Sequence, residues 1–519
     1  MQIHHFLENS ARKTPQKNAV WFKEKWFTYS ELNKSAIIIA QYLIRINIKK
    51  SDRVAILLDN SFDYISAYFG VLKAGAVVVG LNTENNSESL GYLLNNSDSK
   101  CLITHKKFNK SVIPALVKTD LVSDILLMEG DTKSYEGILS VNIELRDSLK
   151  RDVDIVESVR TIDIDLAEIV YTSGSTGKPK GVMLTHLNLV SNMKSICSYL
   201  NLIEDDRIMV ILPFYYIYGK SLLLTHILKG ASIVIDNRFV FPNKILETMT
   251  KTDVTGFAGV PSTFMILLNR SSIKETEFKK LRYVTQAGGA MAPAIQKEVV
   301  RTFSPAKLYI MYGATEAAPR LSYLEPDKLI HKWGSIGVPV DNVDLIICDQ
   351  EGNDISMEGQ VGEIVARGSN IMTGYWKDPE ETAKVLKKGM YYTGDLGKKD
   401  SDGFIYVVGR SKDMIKVKGF RVGAVEIEET ILEMNEVHET AVVSVDDSIL
   451  GEAILALIIP KDKEWRDSQK IKKYLQKKLP PIKIPKYIEF RNSFPKNESG
   501  KILKVKLKEI EKKVNREKK

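Results

Sequence analysis

Cysteine is scarce in this sequence. Cys101, Cys197 and Cys348 stand far apart and form no CxxC pair or Cys/His cluster. That excludes a disulfide framework and gives no zinc site; three isolated thiols fit a reducing compartment, so a cytoplasmic protein is expected. Long hydrophobic runs are also missing. The most apolar window, Tyr68 to Leu81, is interrupted by Lys73 and is shorter than the roughly 20 residues of a spanning helix. It reads as a buried helix followed by a buried strand, and no integral membrane segment is expected. The opening residues, MQIHHFLENSARKTPQKNAV, lack a signal-like apolar core. Charge of one sign is not gathered anywhere but at the end. The formal charge is +9, yet Lys and Glu are interspersed along most of the chain. Recognition of nucleic acid needs the charge on one face, so no nucleic-acid partner is expected. From Lys501 to Lys519 there are nine Lys/Arg against three Glu, read as a solvated helix end. Internal repeats and low-complexity linkers are absent.

What is present is enough material for more than one core. The 519 residues, 44% of them hydrophobic, exceed the roughly 250–300 at which one core stops growing, so at least two domains are expected. Short β-branched runs recur between helical patterns: RVAILL (53–58), AVVVGL (76–81), KCLIT (100–104), DILLM (124–128), AEIVYT (167–172), RIMVIL (207–212), ASIVID (231–236) and KLYIMYG (307–313). This alternation predicts α/β layers with mainly parallel strands. After about Lys332, Gly-bracketed short strands predict a compact β-rich subdomain, to about residue 411. From Lys412 onward, charged helices alternate with TAVVSV (440–445) and AILALII (453–459), the size of a small α+β domain.

The stretch YTSGSTGKPKG, residues 171–181, follows a predicted strand. A P-loop would need Gly where Thr172 stands and Ser/Thr where Pro179 stands, so a P-loop kinase or ATPase is rejected. The loop can still grip phosphate. Gly174 and Gly177 free backbone amides for close approach to an anion. Thr172, Ser173, Ser175 and Thr176 offer hydroxyl donors, and Lys178 and Lys180 offer positive charge.

Further blocks follow in order: Tyr312-Gly313-Ala314-Thr315-Glu316, then Tyr392-Thr393-Gly394-Asp395-Leu396, then Gly409-Arg410-Ser411-Lys412-Asp413, then Lys418-Gly419-Phe420-Arg421, then Pro495 to Ile502 around Lys501. With YTSGSTGKPKGV, these resemble the adenylate-forming superfamily: acyl-CoA synthetases, aryl-CoA ligases, adenylation domains of peptide synthetases and luciferases. The likeness runs from about Phe27 to Lys501. It implies a large N-terminal domain, residues 1–411, of two mainly parallel α/β sheet subdomains plus the β-rich one. A small mobile α+β domain, residues 412–519, would follow, hinged at Lys412.

The resemblance implies ATP-dependent activation of a carboxylic acid to an acyl-adenylate, then transfer to the thiol of CoA or of a carrier-protein phosphopantetheine. The first step brings anions together, so catalysis must rest on charge neutralisation and positioning. By resemblance, Thr172 to Lys180 hold the departing phosphates, Thr315 bonds a phosphate oxygen and Glu316 helps ligate Mg²⁺. Tyr312, with Gly313, packs against adenine. Asp395 accepts from the ribose hydroxyls, and Arg410 adds a donor. Lys501 bridges carboxylate and α-phosphate. Rotation at Lys412 exchanges Lys501 for the loop at Lys418-Gly419, a physical answer to two half-reactions at one site.

Less can be read of the acid. Leu212 to Gly219 matches a family block with Tyr216 where relatives carry His, and Tyr392 stands where relatives often carry Arg. Tyr216 and Gly219 are placed at the substrate pocket; Gly288, Gly289 and Ala290 match the turn between adenine and acyl pocket. No acidic residue lies between Leu212 and Leu224, which argues against an α-amino acid. Lys220 is read as solvated rather than facing an anionic substrate. An acyl-CoA synthetase of fatty acid metabolism is the reading, with a stand-alone enzyme loading an acyl carrier protein in trans as the alternative. A non-catalytic nucleotide-binding member is remote, because Lys501 and Glu316 are both present.

Overall fold

The β-branched runs singled out in the sequence all form strands. The computed structural model describes residues 1–119, 121–130, 135, 142–149, 159–172, 179–355, 357–417, 420–447, 451–496 and 502–517. Among these, Arg53–Leu57, Val77–Gly80, Ser99–Thr104, Asp124–Leu127 and Leu166–Thr172 lie parallel in one sheet. Their side chains are buried on both faces, which is why they read as continuous apolar runs. Lys180–Thr185 returns antiparallel beside Leu166–Thr172, and Gly374–Tyr375 pairs on its far side. Tyr68 to Leu81 divides as expected, into the helix Phe62–Lys73 and the strand Val77–Gly80. Lys73 is buried and is paired with Glu8 at 2.5 Å.

A second sheet carries Ser232–Ile235, Arg207–Val210, Gly256–Gly259, Tyr283–Gln286 and Lys307–Gly313 as parallel neighbours. The helices between them start where the sequence allows: Pro242, Pro261 and Pro293 occupy first turns, where the missing N–H costs nothing. Arg320–Leu324 then pairs antiparallel with Lys307–Gly313. Through it the strands Ser335–Pro339, Ile405–Arg410, Met390–Lys399, Gly362–Gly368 and Val343–Cys348 extend the same sheet. The β-rich stretch has its own core around Leu321, Ile347, Ile364, Tyr391 and Ile405. It is joined edge to edge to the parallel sheet rather than stacked as a separate layer.

The turn Ser411–Asp413, which holds Lys412, leads into a third sheet of Ile415–Val417, Phe420–Val422, Val437–Asp447, Gly451–Pro460 and Tyr487–Phe490. Its two faces are covered separately, one around Ile427, Ile458 and Leu475, the other around Ala441, Leu457 and Leu507. In the basic terminal helix Lys504–Glu517, Lys504 pairs with Glu428 at 2.6 Å and Glu511 with Arg491 at 2.7 Å. Part of the terminal charge is therefore bound internally. Among the described residues no helix is long and apolar enough to cross a membrane. All three cysteines are buried and free.

Candidate active site

The strand Lys307–Gly313 ends at the YGATE segment, where the backbone doubles back. A Cβ on Gly313 would lie 1.9 Å from the Pro319 carbonyl oxygen, so only glycine fits. The turn Thr315–Ala317 follows, and two buried asparagines hold its return. Asn370 Nδ2 donates to the carbonyls of Ala317 and Arg320, both at 2.9 Å. Asn192 Nδ2 donates to the Arg320 carbonyl at 2.8 Å and its Oδ1 accepts from the Arg320 amide at 2.9 Å.

Tyr312 points toward the β-rich strands. Its hydroxyl donates to Asp395 Oδ2 at 2.6 Å. Burial, and then the Asp395 charge, push the phenol well above its usual range, so it stays a donor. Arg410 Nε meets Asp395 Oδ1 at 3.0 Å, because Asp395 and Arg410 are cross-strand neighbours. The sequence-predicted Tyr312, Asp395 and Arg410 thus come together. A carboxylate accepts about four hydrogen bonds, so Asp395 retains capacity for a diol.

Glu316 is fixed from another side. Tyr375 donates its hydroxyl to Glu316 Oε1 at 2.7 Å. The Lys180 ammonium lies 5.3 Å from the Tyr375 ring centroid and is ion-paired with Glu381. That pair, with Lys384, holds the Glu381 carboxyl down at about 2. The backbone binds the same parts: Met372 N donates to Glu316 O at 2.8 Å, and Trp376 N to Gly181 O at 2.7 Å. Thr172 faces Lys180 across the hairpin. The end of YTSGSTGKPKG and the YGATE turn are thereby strapped together by residues 372–376. Glu316 Oε2 has no hydrogen-bond partner among the described residues, and a carboxylate oxygen is the donor a hard cation such as Mg²⁺ requires.

Gly288, Gly289 and Ala290 are exposed at the end of Tyr283–Gln286. Gln286 closes this turn, donating through Nε2 to Gly289 O at 2.7 Å. The Tyr216 hydroxyl lies 3.2 Å from the position a Cβ on Gly288 would take, so the two predicted pocket segments meet. Gly219 does something different. It is buried in the first turn of Ile217–Lys229, where a Cβ would lie 2.1 Å from Pro213 O. It lets the helix pack on its own entry loop. Tyr392 stacks under Lys387, at 5.0 Å from its ring centroid.

One expectation is overturned. Lys220 is 2% exposed, not solvated. Its ammonium meets Glu168 Oε2 at 3.1 Å; burial drives its pKa down against the opposing pull of Glu168. Helix Ile217–Lys229 is covered on all sides, so even its polar positions turn inward. Sequence reasoning also missed Tyr375 and Glu381, which reach the site from far along the chain and carry no motif. Ser173, Gly174, Ser175, Thr176, Gly177, Lys178, Lys418, Gly419 and Lys501 lie outside the described residues.

Comparison with known proteins agrees with this arrangement. The profile of the AMP-binding enzyme family matches residues 7–376, and that of the AMP-binding enzyme C-terminal domain matches residues 426–501. A long-chain-fatty-acid–CoA ligase of Yersinia pestis is 33% identical, over 98% of this chain and 94% of its own length. One of Bacillus subtilis is 29% identical over the same shares. The ATP-bound MatB structure from Rhodopseudomonas palustris, 25% identical, superposes with a TM-score of 0.85 over 99% of this chain and all of its own. The chain belongs to the AMP-binding enzyme family, whose adenylate-forming acyl-CoA ligases its motifs resemble.

Proposed function

We propose that this protein couples a carboxylic acid to CoA at the expense of ATP. The acid's carboxylate attacks the α-phosphorus and pyrophosphate leaves, giving an acyl-adenylate. The CoA sulfur then attacks the acyl carbon, AMP leaves with the carboxylate oxygen, and the thiol proton passes to solvent. A free carboxylate would have to expel oxide, and AMP is the better leaving group. The observation that carries the reading is the convergence at the end of Lys307–Gly313. Tyr312, Asp395 and Arg410 form one polar set beside it; in another, Tyr375 donates to Glu316 and takes the Lys180 ammonium against its ring.

We assign Asp395 and Arg410 to the ribose, Tyr312 to the adenine with Gly288, Gly289 and Ala290, and Thr315 to a phosphate oxygen. Glu316 would hold Mg²⁺, which supplies positive charge to the phosphates. Lys180 is a positioning residue in this reading, because its ammonium is engaged by Glu381 and supports Tyr375. The loop 173–178 would surround the departing phosphates. Lys501 would neutralise charge between carboxylate and α-phosphate, with the hinge at Lys412 between residues 1–411 and 412–519. The cytoplasm is the proposed compartment, in keeping with three buried free thiols.

The curated relatives are named for long-chain fatty acids; the chemistry is carried over here, the chain length is not. ATP–pyrophosphate exchange across a panel of carboxylic acids, then AMP release with CoA or with a phosphopantetheinylated carrier protein, tests the reading. Acid-dependent exchange and CoA-dependent AMP release are expected. Formation of ADP instead of AMP would refute it. Lys501→Ala should depress exchange far more than thioester formation from preformed adenylate; equal loss in both steps would contradict the role given to Lys501.

A further inference from the structure

Arg320 is the first residue of the strand Arg320–Leu324 and stands opposite Gly313 of the YGATE segment. It is 2% exposed. Among the described residues no carboxylate forms an ion pair with it. Its guanidinium lies 5.0 Å from the Tyr218 ring centroid. Among the described residues its buried Nε has no hydrogen-bond partner. A buried cation without an anion, and a buried donor without an acceptor, are both costly.

The side chain faces a narrow cavity of about 10 Å³ that is also lined by Tyr218, Ser221, Thr225, Thr285 and Met311. Three site segments bound this cavity. The helix Ile217–Lys229 starts directly after Tyr216, the strand Tyr283–Gln286 ends at the Gly288 turn, and Lys307–Gly313 ends at YGATE. The cavity therefore lies inward from the place where the acid must be activated.

The polar wall has already spent its hydroxyl protons. Tyr218 donates to the Thr285 carbonyl at 3.1 Å, which leaves the Thr285 hydroxyl to donate back to the Tyr218 oxygen at 2.8 Å. Tyr199 donates to Met311 Sδ at 2.9 Å. Ser221 donates to the Tyr218 carbonyl and Thr225 to that of Ser221, each at 2.7 Å. His226, in the same wall, is kept neutral near pH 7 by burial, its pKa pushed down to about 4. Among the described lining residues, the fixed charge is the Arg320 guanidinium, and the uncommitted donor is its own. A methyl-ended acyl chain would leave both unanswered. A carboxylate satisfies both, because guanidinium and carboxylate match in charge and shape.

We propose that Arg320 receives the far end of the acyl group, and that the acid activated by this chain bears a second carboxylate there. The proposal rests on the acyl-CoA ligase reading and narrows it to α,ω-dicarboxylic acids. Arg320 is then a specificity residue that touches substrate away from the reacting carboxylate.

The test uses the full-length protein and ATP–pyrophosphate exchange with length-matched pairs of acids, methyl-ended and α,ω-dicarboxylic, over a range of chain lengths. For the best length, wild-type kcat/KM should favour the dicarboxylic acid by about 10–100-fold, the size expected of a hydrogen-bonded charge contact. Arg320→Leu should reverse the order, and Arg320→Lys should fall between. A wild-type preference for methyl-ended acids at every length overturns the proposal alone and needs no variant. So does an Arg320→Leu protein with a wild-type melting temperature that keeps the dicarboxylic preference. Exchange with no acid in the panel overturns the underlying ligase reading and the proposal with it.

Discussion

The Tyr375 hydroxyl donates to Glu316 Oε1 across 2.7 Å, from a strand packed against the far side of the hairpin that begins at Thr172. The bond fixes one oxygen of the carboxylate and aims the other. Tyr375→Phe removes the donor and keeps the ring under Lys180. Exchange kcat should fall by about tenfold, in line with the 1.5–3 kcal/mol of a hydrogen bond to a charged group. The Mg²⁺ concentration giving half-maximal rate should rise. Titration of exchange rate against Mg²⁺ checks this; an unchanged half-saturation point would separate Tyr375 from the metal.

Asp395 accepts from Tyr312 at 2.6 Å and meets Arg410 at 3.0 Å. Asp395→Asn replaces one acceptor oxygen by an NH₂ group, which then confronts a donor on one side or the other. ATP binding should weaken, with KM for ATP raised by about 10–100-fold, and the acid KM should change less. Steady-state kinetics against each substrate, with AMP calorimetry, measure it. A loss confined to kcat would remove Asp395 from the ribose.

Much of this architecture was legible in the sequence, for identifiable reasons. Runs such as RVAILL and KLYIMYG are parallel strands buried on both faces, and only that environment demands such continuous apolarity. The motif residues Tyr312, Asp395 and Arg410 fall together because each sits at a strand end or a cross-strand pair. The misreadings have a common origin. Lys220 looks solvated because lysine nearly always is; its burial depends on Glu168, a residue distant in sequence. Tyr375 reaches the site by pairing with Lys180–Thr185, a strand distant in sequence, and Glu381 by its ion pair with Lys180; no local pattern encodes either. The sharing of one sheet by the parallel and antiparallel strands turns on the single pairing of Arg320–Leu324 with Lys307–Gly313.

The Lys220–Glu168 pair is 2% and 1% exposed, with the Tyr64 and Tyr68 hydroxyls and Glu168 Oε1 buried beside it and without hydrogen-bond partners among the described residues. Lys220 also lies 4.2 Å from the Tyr68 ring centroid. Lys220→Met strands a buried carboxylate and should cost about 3–5 kcal/mol. The double variant Lys220→Met, Glu168→Gln should recover most of that, since neither group then needs a counter-charge. Urea denaturation of the two singles and the double gives the coupling energy directly. Additive losses would show that the two groups do not rely on each other.

His226 ties stability to pH. It is 1% exposed. Nδ1 lies 2.8 Å from the Leu222 carbonyl and Nε2 lies 2.9 Å from the Tyr283 hydroxyl. These partners assign the proton to Nδ1 and leave Nε2 to accept. Burial is the main cause that lowers its pKa from 6.5 to about 4; the Leu222 carbonyl and Asp206 oppose the shift, and Arg282 adds to it. The unfolded chain therefore takes up this proton from pH 6.5 downward, while the folded chain resists it until about pH 4. The contribution is fully present above pH 6.5 and is lost as pH falls through that window, by about 2 kcal/mol at pH 5. His226→Gln cannot titrate, so it should lose less stability than the wild type between pH 7.5 and pH 5, even if it starts lower. His4 and His186 are also held down by burial, to about 2 and about 4, so the wild type should keep a residual slope after this substitution. Equal slopes in the two proteins would mean that the His226 pocket opens to water before the chain unfolds, and that the wall facing Arg320 is looser than its hydrogen bonds imply.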